Sequence, residues 1–95
     1  MMPTSRDAVW QRIMAVQHEF NRLERGFADL PADHINWWLR WRFKKSLDAM
    51  IEVRGAHSHG GSTSVSERRL PKLERAVKVY SLKLARLQTA NGECV

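Results

Sequence analysis

The chain predicts an all-α fold: an antiparallel helical hairpin plus a third long helix, forming a three-helix bundle that assembles as a dimer. Three observations carry this expectation. Apolar residues recur at alternating three- and four-residue intervals in two separate segments. A segment between them is bounded by a proline and a glycine suited to helix ends. No alternating apolar and polar run is joined to another by a tight turn, so no strand hairpin competes.

The first segment carries Val9, Ile13, Val16, Phe20, Leu23, Phe27 and Leu30, a heptad stripe. Thr4 or Ser5 suits the N-cap, and Asp7 in the first turn suits the helix dipole. The spacing predicts a helix over about 5–28, roughly 36 Å long. Gly26 falls in its last turn or ends it early.

The second segment begins at Pro31, whose missing N–H costs nothing in a first turn, and Asp33 complements that end. Ile35, Leu39, Phe43, Leu47, Met50 and Ile51 form one broad apolar face, predicting a helix over about 32–54 with Gly55 as its stop. The short break before it is what makes the first two helices an antiparallel hairpin.

The third segment carries Leu70, Leu73, Val77, Tyr80, Leu84 and Leu87, predicting a helix over about 68–90 that stops at Asn91–Gly92. Pro71 disfavours a helical Leu70, so the regular helix starts near there. SVSE at 64–67 matches a capping box and suits an irregular turn. Residues 55–66 hold three glycines and four serines and read as a flexible loop. Within it, 55–63 is expected to be mobile and dispensable for folding.

Ninety-five residues make one domain, 1–95, with a modest core for which self-association is a natural supplement. The net charge of +6 favours nucleic acid, an acidic protein surface or anionic lipid as partner. The single cysteine, Cys94, excludes an internal disulfide and fits a reducing compartment. No apolar run approaches the ~18 residues of a membrane span, and the start lacks the apolar middle of a secretory signal. The expected localisation is cytoplasmic, with no membrane partner.

The stretch WWLRWRFKK places Trp37, Trp38 and Trp41 among Arg40, Arg42, Lys44 and Lys45. At about 100° per residue the three tryptophans fall opposite the Leu39–Phe43–Leu47 face. Three readings follow. The rest of the chain covers them, through the third helix or an end of the first carrying Trp10. They form a protein interface, where Trp and Arg are enriched. Or they stack on bases while the neighbouring cations hold phosphates. A membrane-surface role is weaker, because Asp48 and Glu52 share that side. The protein interface is the expected role of the three tryptophans.

Charge is uneven. Residues 4–30 are balanced, 31–54 carry a net +2 and 66–90 a net +5. On a helical wheel Arg68, Lys72, Arg75, Lys83 and Arg86 share one sector opposite the core stripe, away from Glu67 and Glu74. Such a line of cations suits a phosphate backbone, although charge runs are commonly just solvated faces. The expected nucleic-acid contacts are these five, with Arg40, Lys44 and Lys45. No helix-turn-helix, zinc-finger spacing or RNA-binding sheet motif reads bases, so recognition by shape and charge is expected.

No catalytic motif is present, and no cofactor or metal is expected. His57-Ser58-His59 lacks a second ligand pair, since only distant His18, His34 and Cys94 remain, and reads as a loop pair on the surface. No nucleophile elbow or phosphate-binding glycine loop occurs. The sequence therefore suggests a small non-catalytic accessory or regulatory protein of a nucleic-acid or nucleoprotein complex. The alternative is an adaptor or inhibitor that docks on an acidic partner without touching nucleic acid.

Overall fold

The computed structural model describes residues 5–31 and 37–93. Three helices form: α1 (Ser5–Ala28), α2 (Trp37–Ser58) and α3 (Thr63–Glu93). Each packs on the other two, in a body of 52 × 26 × 17 Å. The first helix has the limits its heptads predict. Val9, Ile13, Val16, Phe20, Leu23, Phe27 and Leu30 are all buried, because residues spaced by three and four share one face of an α-helix.

Phe43 of α2 is the hub of the core. It meets Phe20 and Phe27 of α1, with ring centroids 5.9 and 5.1 Å away, and Tyr80 of α3 edge-on at 5.4 Å. Leu70, Leu73 and Leu84 complete the α3 contribution. On the surface Arg12 of α1 pairs with Glu74 of α3 at 2.6 Å, and Arg69 of α3 with Glu52 of α2 at 3.3 Å. The carboxylate of Glu74, hydrogen-bonded to Arg12, raises that guanidinium's pKa further.

The structure departs from the sequence expectation most between α2 and α3. Of the segment 55–66 expected as loop, only 59–62 is non-helical. The second helix passes through Gly55 and ends at Ser58. It closes in a Schellman turn: the Gly60 N–H donates to the His57 carbonyl at 3.2 Å and the Gly61 N–H to that of Ala56 at 2.8 Å. Gly60 takes φ 87°, which a residue with a side chain adopts only at a cost. The third helix begins at Thr63 rather than 68, and passes through Pro71. Pro71 has no N–H to donate to the Glu67 carbonyl, and both residues are exposed.

Tertiary contacts explain the extension. His57, expected on the surface of a mobile loop, is only 2% exposed, and Ser66 only 4%. The His57 Nε2–H donates to the Arg6 carbonyl oxygen at 3.3 Å, which fixes the tautomer because a carbonyl can only accept. Nδ1 then accepts from the Ser66 hydroxyl at 3.2 Å. The ring lies against Trp10, with centroids 5.9 Å apart and planes 13° apart. Helical geometry on both sides of the turn is what brings these groups together.

One further core expectation fails. Ile51 is 54% exposed, and Val53 takes its place in the core. Phe43, Met50, Val53 and His57 keep a spacing of seven, three and four, which rotates Ile51 off the buried side. The expected start of the second helix, with Asp33, His34 and Ile35, lies outside the described residues, as do Thr4 and Cys94.

Candidate functional site

Two surfaces stand out, and they meet along one seam. The first is the outward side of α3. Arg68, Lys72, Arg75, Lys83 and Arg86 are all exposed, and none is in an ion pair among the described residues. They extend over about 27 Å of helix. Glu67 and Glu74 lie away from them, and Glu74 is occupied by Arg12.

The cationic face is not purely polar. Val79 stands four residues from both Arg75 and Lys83, and Leu82 four residues before Arg86, so both lie among the cations. Val79 is 42% and Leu82 62% exposed. A wheel scored for charge alone passes over these two residues.

The second surface is the start of α2. Trp37, Trp38 and Trp41 are 65%, 63% and 45% exposed. They pack on one another: Trp37 and Trp41 lie with planes 18° apart at 6.4 Å, and Trp38 stands edge-on to both, at 4.9 and 5.9 Å. The Lys45 ammonium lies 5.2 Å from the Trp41 ring centroid, a cation–π contact. The fourth tryptophan, Trp10, is engaged with His57, so it does not cover this cluster.

The predicted cations of α2 divide. Lys45 joins those of α3: with Arg68, Arg69 and Lys72 it rims a cleft of about 450 Å³ floored by Ala49, Val53, Leu73 and Ala76. Further along the seam, a cleft of about 200 Å³ lies between Trp38, Leu39 and Arg42 of α2 and Val79, Tyr80 and Lys83 of α3. Arg40 and Lys44 instead border a depression towards α1, with Glu24 and Phe27. They do not join the α3 surface.

The sequence reading missed Arg69, Val79 and Leu82 as members of these surfaces, and it set Arg42 beside the tryptophans without counting it among the expected contacts. It also missed the structural role of His57. A signal for the last was present: Phe43, Met50 and His57 are spaced by sevens, and Ser66 lies four residues before Leu70.

His59 is exposed, with Nδ1 2.7 Å from the Gly55 carbonyl oxygen, while both nitrogens of His57 are engaged elsewhere. No group of three or more metal-ligating side chains occurs among the described residues, and no helix there is long and apolar enough to cross a membrane. No family model, curated protein or solved structure matches the chain.

Proposed function

We propose that this protein is a small non-catalytic accessory or regulatory subunit of a nucleic-acid or nucleoprotein complex, contacting phosphates through α3. One observation carries the reading: Arg68, Lys72, Arg75, Lys83 and Arg86 are exposed on one helix side, without ion pairs among the described residues. Cations free of carboxylates can neutralise phosphates and release counterions, which gives affinity without base reading. In this reading the tryptophan cluster serves a protein interface, within a homodimer or against another subunit. The first two helices form an antiparallel hairpin in each protomer, and the protein works in the cytoplasm.

The test is the salt dependence of binding to duplex and single-stranded nucleic acid. Replacing Lys72, Arg75, Lys83 and Arg86 with glutamine should weaken binding and flatten the slope, by about 0.7–0.9 log units per lost contact. Unchanged affinity and slope would end this reading.

A second reading is favoured by Val79 and Leu82, whose exposed side chains among the cations suit a protein better than a phosphate backbone. The protein is then an adaptor or inhibitor that docks on an acidic partner.

A further inference from the structure

We infer that the seam between α2 and α3 is a docking groove for an acidic amphipathic helix of a partner protein. The inference rests on the second reading and gives the acidic partner a form and a place. Two clefts, of about 450 and 200 Å³, lie along this one seam. From Trp38 to Val53 it runs about 22 Å along α2, the length of a four-turn helix.

The chemistry of the seam selects the occupant. Its floor is aliphatic, with the half-buried Ala49 and Ala76 beside the buried Val53 and Leu73. That floor accepts leucine-like side chains spaced along a helix, as in helix-in-groove recognition. It offers no aromatic platform of its own for stacking a base; Trp38 and Tyr80 lie only at the far end. The rim is cationic throughout, with Arg42, Lys45, Arg68, Lys72 and Lys83. Neither cleft is lined by an acidic residue, and the nearby Glu52 is held by Arg69 at 3.3 Å.

Charge also disfavours a second copy of the chain in this place. Two such grooves face to face would set one row of cations against another, in a protein that already carries +6. An acidic helix removes that cost and covers the floor. It would also pack beside Trp38, 63% exposed at the end of the seam.

A designed peptide of about sixteen residues, with leucines on one face and glutamates elsewhere, is a suitable probe, labelled for fluorescence anisotropy. Two controls accompany it: the same composition scrambled to destroy the apolar face, and a helix with glutamine in place of glutamate. The full-length protein should bind the amphipathic acidic peptide at least about tenfold more tightly than either control. Ala49→Met with Ala76→Met, which fills the floor and keeps every charge, should remove that preference. Lys45→Gln with Lys72→Gln should weaken binding without touching the floor. Arg25→Gln with Lys78→Gln, exposed cations off the two clefts of the seam, should leave the preference intact. Circular dichroism of each variant confirms folding.

Equal binding of both acidic peptides, unaffected by the methionine pair, overturns the groove while leaving a general affinity for acidic proteins standing. Binding of neither acidic peptide overturns both. Displacement of the bound peptide by a thymidine oligonucleotide that itself loses affinity in the methionine variant assigns the seam to nucleic acid. Dissociation of a dimer by the methionine pair assigns it to a second copy. Either result overturns the inference.

Discussion

Arg6 and His57 hold each other reciprocally. The Arg6 guanidinium donates to the His57 carbonyl and, at 3.1 Å, to that of Gly61, while the His57 ring donates to the Arg6 carbonyl. One residue opens α1 and the other closes α2. The cation of Arg6 therefore sits at the negative end of the α2 dipole, adding a second donor to the His57 carbonyl that the Gly60 N–H already reaches. This knot explains why a glycine-, serine- and histidine-rich stretch is ordered into helix on both sides of a four-residue turn.

His57→Ala should accordingly destabilise the fold. It leaves the buried Ser66 hydroxyl without its partner and removes the ring packed on Trp10. The unsatisfied group alone costs about 1–3 kcal/mol. His59→Ala should fall within about 0.5 kcal/mol of the parent, as exposed substitutions do. Urea unfolding of the two variants makes the comparison; equal midpoints would show that the knot contributes nothing.

The glycines around the turn should respond in opposite directions. Nothing lies within 4 Å of a Cβ added at Gly55, which is inside α2. Gly55→Ala should stabilise by about 0.5–1 kcal/mol, through helix propensity. Gly60 has equal space but φ 87°, so Gly60→Ala should cost about 1–2 kcal/mol. Thermal melts with opposite shifts are the expected result.

Gly26 reports the closeness of α1 and α3. A Cβ there would stand 2.5 Å from Cδ2 of Leu84, a buried side chain. Gly26→Val forces Leu84 from its place and should destabilise by about 1–3 kcal/mol. Combining it with Leu84→Ala should recover part of the loss, because the two changes share one space. Strict additivity in a double-mutant cycle would contradict this account.

Trp37→Ala with Trp41→Ala should leave monomer folding nearly unchanged, since both rings lie outside the core, 65% and 45% exposed. If the cluster is an interface, the same pair should shift a dimer towards monomer or abolish partner binding. Sedimentation equilibrium at micromolar concentration reads the first effect. A parent protein that sediments only as an 11.0 kDa monomer would remove the dimer from the proposal. Loss of nucleic-acid affinity by about 1–3 kcal/mol per base, with assembly unaffected, would instead assign the cluster to stacking.

What was legible in the sequence was periodic. The α1 stripe from Val9 to Leu30 and the cationic side of α3 can be read from residue spacing, because helical geometry fixes which side chains share a face. The limits of α2 and α3 could not be read the same way. Gly55 and Pro71 are local stop signals of about 1–3 kcal/mol, and contacts distant in sequence override them. His57 reaches Ser66, Trp10 and the Arg6 backbone only once three helices are packed. Likewise, spacing set Lys45 and Lys72 on the surfaces of separate helices, but only packing made them two rims of one cleft. Local sequence determined which residues face outward together; the tertiary structure decided which of those faces became neighbours, because that depends on how the buried side chains of different helices fill a common core.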